Sequence, residues 1–200
     1  AGIDYDLDEE SGARLDAYVR WAQGVLARYG GALLDLNIGD KGSYLYAAVG
    51  ALTAHEDSAR RAAGAALELR APPVELDLAR STRIGISQGV MRVGTCGGRG
   101  RRTYSALGDE VNVAARLMQA AEPGQILVGR RAQRDCAESY QWQALPAVSV
   151  KGKRDPIPVM ALLGTASRGE FRLSEPRYAL PLIGREEELS LVADLLARAC

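Results

Sequence analysis

Apolar residues recur at helical spacing near the start of the chain. Leu15, Val19, Ala22, Val25 and Leu26 share one face, so Glu9 to Tyr29 predicts an amphipathic helix that Gly30-Gly31 ends. Two β-leaning runs follow, Ala32 to Ile38 and Ser43 to Val49. Gly39-Asp40-Lys41-Gly42 parts them and has the composition of a hairpin turn. Glu56 to Arg70, rich in Ala and Arg, predicts a second helix, opened by His55-Glu56-Asp57 with its acids at the positive end of the helix dipole. A Pro-containing loop occupies Ala71 to Ala79. Arg83 to Val93 then reads as one strand, and the glycine-dense Gly94 to Gly100 as a flexible stretch.

A short polar strand ends at Gly108, and Asp109 is placed to cap the helix after it. Wound at the helical period, Asp109, Asn112, Arg116 and Gln119 fall on one narrow polar wedge. Val111, Val113, Ala114, Ala115, Leu117 and Met118 cover most of the rest, so a mostly buried helix is expected. Such a helix has no use for an Asn and an Arg one turn apart unless something polar meets them. An intrahelical patch with Asp109 is the plainer alternative. Gln125 to Val128, a short helical piece near Arg130 to Asp135, and strands at 140 to 151 and 157 to 163 complete the pattern. Interleaved strands and helices with two hairpins predict an α/β (α+β) fold built on a mixed or antiparallel sheet. From Gly164 to Ala179 the pattern lapses into Ser, Arg, Glu and Pro, as a linker does, and Ile183 to Cys200 predicts a final helix.

Composition narrows the function classes. The 200 residues are 47% hydrophobic, enough for one ordinary core plus a tail, and 25 basic residues balance 25 acidic ones. That balance leaves no footprint for nucleic acid or an anionic membrane, and Arg101-Arg102 beside Tyr104 reads as a solvated hairpin pair. No apolar run approaches the roughly 20 residues of a membrane helix. Cys96, Cys136 and Cys200 are odd in number and widely spaced, which favours a reducing cytoplasmic setting over a disulfide framework. The one histidine, His55, cannot build a histidine metal cluster. The start AGIDYD has neither an initiator Met nor a signal-peptide pattern, as an excised piece of a longer chain would.

Residues 103 to 128, TYSALGDEVNVAARLMQAAEPGQILV, carry the pattern G-D-x-V-N-x-A-A-R-L followed by A-x-P-G-x-I-L-V. This resembles the signature of class III nucleotidyl cyclases. LNIGDKGSYLYAAVG, HEDSARRAAGAALELR, RIGISQGVMRVGTCGG and the closing SVKGKRDPIPVMALL extend the resemblance, in the family's order, over residues 1 to about 163. The resemblance implies a ferredoxin-like βαββαβ core with extra strands. It also implies conversion of ATP or GTP to the 3′,5′-cyclic monophosphate and pyrophosphate. Active sites would lie between two catalytic domains, in one protein or in a homodimer. Two Mg²⁺ or Mn²⁺ ions, held mainly by the partner domain, would bind the triphosphate and lower the proton affinity of the 3′-hydroxyl.

Residue by residue, Asn112 and Arg116 match the family's transition-state pair: a planar fork for phosphoryl oxygens and an amide to orient the ribose. Lys151, in V-K-G-K, matches its phosphate lysine, though an ordinary loop carries lysines too. Asp40 sits where the family keeps its second metal aspartate, and is also good turn chemistry. The first metal aspartate would precede Ala1, which leaves Asp4 and Asp6 as solvated acids. For base recognition the resemblance points to Leu36, where many adenylyl cyclases have lysine, and to Ser105, whose hydroxyl can hydrogen-bond adenine. The Asp-Lys-Gly turn and Ser105 look most like the second cyclase domain of tandem soluble adenylyl cyclases. In the tail, P-L-I-G-R-E-E-E-L resembles the lead-in to a downstream ATPase module, so a cyclase homology domain at 1–163 and a linker plus module start at 164–200 are expected. A catalytically inactive domain that serves as a regulatory dimerisation or small-ligand-binding domain is the alternative.

Overall fold

The computed structural model describes residues 11–38, 43–76, 82–148 and 156–166 of the chain. Its first half holds α1 (Ser11–Arg28), β1 (Gly31–Asn37), β2 (Tyr44–Val49), α2 (Ser58–Leu69) and β3 (Ile84–Ile86). A ribbon of β4 (Arg92–Gly97) and β5 (Arg102–Leu107) leads into α3 (Asp109–Ala120). Then come β6 (Ile126–Gly129), α4 (Arg130–Arg134), β7 (Tyr140–Val148) and β8 (Ile157–Thr165).

Side-chain alternation decides how these elements stack. All four residues of β6 are buried, as a strand covered on both faces must be. Ile126 and Val128 point into a cluster with Ala59, Ala63 and Ala66 of α2, Ala132 of α4 and Leu162 of β8. Leu127 points the other way, into a cluster with Val113 and Leu117 of α3 and with Val159 and Ala161 of β8. The sheet around β6 runs β3-β6-β8-β7: parallel between β3 and β6, antiparallel elsewhere. A third cluster joins Val25 and Leu26 of α1 to Ala65 of α2, with Leu33 of β1 and Ala47 of β2 against it. β1 and β2 form an antiparallel hairpin with a bulge between Leu33 and Asp35. Mixed and antiparallel pairing with helices on the sheet is the expected fold class.

Four local expectations are corrected. Arg83 to Val93 is not one strand: Ile84–Ile86 joins the central sheet, and the chain departs at Ser87 to pair 92–97 with 102–107 in a separate ribbon. At Gly89, on the departing segment, a Cβ would meet the Glu110 side chain of α3, which would have to shift. Gly94 to Gly97, expected to be flexible, are ladder residues of that ribbon. α2 begins at Ser58 with Asp57 as N-cap, so His55 lies before the helix. Gly164 and Thr165, expected in the linker, continue β8 opposite Gln141 and Tyr140. The Gly39–Gly42 turn, and the tail from Ser167 on, lie outside the described residues.

Two stability tests follow from the packing. Leu117 has no exposed surface. Leu117→Ala is therefore expected to cost about 2–5 kcal/mol in urea unfolding, the sum of lost transfer energy and a cavity. Asp57 accepts hydrogen bonds from Arg61 Nε at 2.6 Å and from Arg60. Chiefly the Arg61 bond, then the Arg60 bond, hold its carboxyl at about 2, below the ordinary 3.8. A depressed folded-state pKa stabilises above the unfolded value and stops doing so as pH falls through the folded one. The small stability gap between wild type and Asp57→Asn should thus be full above about pH 4 and close as pH falls toward 2. Paired denaturation curves across that window measure it.

Candidate functional site

The site forms where the β5 strand turns into α3. Gly108 is the N-cap and makes no side-chain cap bond, so Asp109 is the first helical residue and not the cap expected from sequence. The corner is tight: a Cβ on Gly108 would lie 3.0 Å from Met91 Cγ. That closeness favours glycine at the cap and leaves Asp109 and Glu110 in the first turn, where acids suit the helix dipole. Glu110 accepts a hydrogen bond from the Ser87 hydroxyl, tying that turn to the loop after β3.

α3 sits unusually close to β3. A Cβ on Gly85 would overlap the backbone of α3 at Ala114 O and Met118 N, and would come within 3.0 Å of Leu117 Cβ. Contact through this bare backbone buries only a narrow stripe. Val113 and Leu117 are the helix's two buried residues, while Ala115 and Ala120 are exposed. The expectation of a mostly buried helix therefore fails: close approach over a glycine replaces a broad apolar footprint.

The polar wedge is open to solvent along its length, with Asp109, Asn112, Arg116 and Gln119 all exposed. Asn112 and Arg116 stand one turn apart on it. Arg116 Nη1 donates to Gln119 Oε1 at 3.3 Å, a weak contact that leaves the guanidinium's outer edge available to a ligand. The two side chains therefore open onto one exposed face of α3.

The two base-reading positions lie on neighbouring elements. Ser105 is half-buried in β5 opposite Gly94 of β4, and Leu36 is half-buried in β1 opposite Leu45 of β2. β1 and β5 touch, and Tyr104 Oη donates to Ala51 O at 3.0 Å, which anchors β5 beside the end of β2. Between β1 and β5 opens a groove of about 420 Å³ lined by Ala32, Leu33 and Leu34 on one side and Arg101, Arg102 and Tyr104 on the other. Neither Leu36 nor Ser105 lines it. Asp40 and Lys151 lie outside the described residues. Among the described residues no three His, Cys, Asp or Glu side chains gather as a metal site would require.

Sequence reasoning passed over Gly85 and Glu110. A glycine inside the I-G-I strand was the available signal, since glycine within a strand often marks close backbone approach. Cys136 plays no part in the site: it is buried, its Sγ lies 3.1 Å from Ala132 O, and burial pushes the thiol up to about 11. Among the described residues no helix is long and apolar enough to cross a membrane.

Comparison with known proteins bears on family and fold. The family model for the adenylate and guanylate cyclase catalytic domain matches residues 37–163. Adenylate cyclase type 10 of Rattus norvegicus is 32% identical over 131 residues, which is 60% of this chain and 8% of that protein. The chain thus spans under a tenth of the length of that curated relative. Among solved structures, the guanylate cyclase domain of RhGC from Catenaria anguillulae, in complex with GTP, superposes with a TM-score of 0.68 at 22% identity. The match covers 81% of this chain and 88% of that one. The adenylyl cyclase CyaB from P. aeruginosa gives the same TM-score and identity over 81% and 87%. At such identity these structures speak to the fold.

Proposed function

The chain belongs to the adenylate and guanylate cyclase catalytic domain family, and from that premise we propose that it supplies half of a nucleotidyl cyclase site. The reaction is conversion of ATP, with GTP as the competing substrate, to the cyclic monophosphate and pyrophosphate. The observation that carries the proposal is the open Asn112–Arg116 pair on α3, held in place from beneath by Gly85. Arg116 presents a planar fork to the oxygens around the α-phosphate as charge builds there, and Asn112 orients the ribose whose 3′-hydroxyl attacks. Lys151 serves the terminal phosphates and Ser105 hydrogen-bonds the base.

The described residues make no metal cluster of their own, and Asp40 offers one carboxylate. Two Mg²⁺ or Mn²⁺ ions would therefore arrive with the partner domain's aspartates and supply Lewis-acid activation of the hydroxyl when bound. That partner is a second cyclase domain in the same cytoplasmic signalling protein; a second copy of this chain, as a homodimer partner, would bring only Asp40 again. The tail would lead to a downstream ATPase module. Nucleic acid and membrane have no part in this function.

One observation favours a second reading. Leu36 brings a half-buried apolar side chain to the position where many adenylyl cyclases have lysine, as a domain that had lost base recognition and served as a regulatory dimerisation partner would. Cyclic-nucleotide formation separates the two. The chain alone is expected to turn over negligibly, and adding the first cyclase domain of the same protein should produce activity. A mixture with no more activity than the first domain alone would favour the regulatory reading.

A further inference from the structure

The end of α3 that carries Asn112 has a weak cap. Gly108 stands at the N-cap and makes no side-chain cap bond, since glycine has no side-chain acceptor for the first-turn N–H groups. Helix ends of this kind fray, yet Asn112 is only the fourth helical residue. Gly85, beneath Ala114 and Met118, fixes the middle of α3 against β3. A contact at that one level leaves the first turn free to twist about the helix axis.

The loop after β3 supplies a second attachment. Ser87 and Glu110 are both half-buried, and the Ser87 hydroxyl donates to the Glu110 carboxylate. The Glu110 side chain passes close over Gly89: a Cβ there would lie 2.5 Å from Glu110 Cγ and 3.0 Å from its Cδ. The bare backbone of Gly89 therefore leaves room for the reach. The next residue of the loop is held elsewhere, where Gln88 Nε2 donates to Asp135 Oδ2 at 2.9 Å, at the C-cap of α4. Further along, Met91 backs the N-cap, with its Cγ 3.0 Å from where a Cβ on Gly108 would stand. Glu110 thus ties a weakly capped helix end to a loop that is itself anchored on a second helix.

We propose that Glu110 is a positioning residue: gripped by the Ser87 hydroxyl across Gly89, it fixes the rotation of the first turn of α3, and with it the direction in which Asn112 and Arg116 project. The consequence for activity rests on the half-site reading above; the clamp itself does not. An acid in a first helical turn also suits the helix dipole, and that plainer role makes opposite demands. The dipole asks for charge and is indifferent to reach, so Asp would serve and Gln would not. The clamp asks for an acceptor at the right distance, so Gln serves and the shorter Asp does not.

The test is amide hydrogen exchange of the full chain at Val111, Asn112 and Val113, read by NMR. Glu110→Ala should speed exchange there about fivefold or more, the equivalent of one lost hydrogen bond. Glu110→Asp and Ser87→Ala should match it, and the double variant Ser87→Ala/Glu110→Ala should add little to either single change. Glu110→Gln should stay within about twofold of wild type, because its amide oxygen still accepts. Glu68→Ala, which removes a carboxylate paired with Arg28 on α1, should leave the α3 amides unchanged. In an active mixture with the first cyclase domain that the half-site reading requires, Glu110→Ala should lower kcat severalfold with little change in KM, and Glu110→Gln should keep the rate. A mixture inactive with wild type would count against the half-site reading alone, and exchange would still decide the clamp. Unchanged exchange in Glu110→Ala, or a protected Asp variant beside a fast-exchanging Gln variant, would overturn the clamp. An active mixture that loses its rate on Arg116→Ala but is indifferent to Glu110→Ala would overturn the positioning role.

Discussion

Gly85→Ala is expected to destabilise the domain by about 3 kcal/mol or more, at or above the upper end of ordinary overpacking costs. The added methyl would overlap main-chain atoms Ala114 O and Met118 N, and those cannot rotate away as a flexible side chain does. Relief requires α3 as a whole to lift from β3, which opens the contact that Leu117 makes with Leu127, Val159 and Ala161. Because α3 carries Asn112 and Arg116, whatever remains folded should also present them displaced. A matched control lies in α1, where a Cβ on Gly12 would meet nothing within 4 Å. Gly12→Ala, in the first turn of α1, should be neutral or slightly stabilising, gaining less than the roughly 1 kcal/mol of a helix-interior exchange. Urea unfolding midpoints of the two variants decide the matter. A Gly85→Ala protein as stable as wild type would show that α3 does not rest on β3 in the manner described.

The contrast between these glycines bears on how much of the molecule could be read from its residues. Helical periodicity located α1 and the polar wedge of α3, while β-leaning runs between turn residues located β1, β2 and the closing strands. The single strand expected across Arg83 to Val93 was wrong for a physical reason. Its composition is uniformly β-leaning, but Ile84–Ile86 and Arg92–Gly97 belong to different sheets, and sheet membership depends on partners far along the chain. The burial of α3 was misjudged in the same way. Its apolar residues suggested a wide footprint, whereas a bare glycine beneath the helix lets a narrow stripe suffice. Asp109 resembled a cap by type, and only the tight Gly108 corner against Met91 reveals that it sits one position inside the helix.

Of the candidate site, the Asn112–Arg116 pair was the legible part, since a four-residue spacing on a helix fixes a common face whatever the surroundings. Leu36 and Ser105 could be placed on touching strands but not oriented toward one another, because the β1 bulge shifts the local register and alternation alone does not foresee a bulge. Arg101-Arg102 could be read as a hairpin pair, but the strand partner of Arg102, Gly97 of β4, could not.

Arg116→Ala is expected to have the largest effect on activity. A fixed guanidinium that meets charge developing on the phosphate in a water-excluded site is worth about 10²–10³ in rate, by analogy with other preorganised transition-state donors. The loss should fall on kcat more than on KM, because the interaction strengthens as charge develops. Arg116→Lys should not restore the rate, since a point ammonium lacks the planar two-pronged donor. Folding should be unaffected, because Arg116 is exposed and its side-chain hydrogen bond among the described residues is the 3.3 Å contact to Gln119.

The most direct measurement is the rate of cyclic-nucleotide formation from ATP and from GTP, with Mg²⁺ or Mn²⁺, by this chain, by the first cyclase domain that the proposal requires, and by their mixture. The half-site account predicts negligible turnover from this chain alone, clear turnover from the mixture, and loss of that gain by about 10²–10³ when the chain carries Arg116→Ala. It is contradicted if this chain alone matches the mixture, or if the mixture is active and Arg116→Ala leaves its rate unchanged.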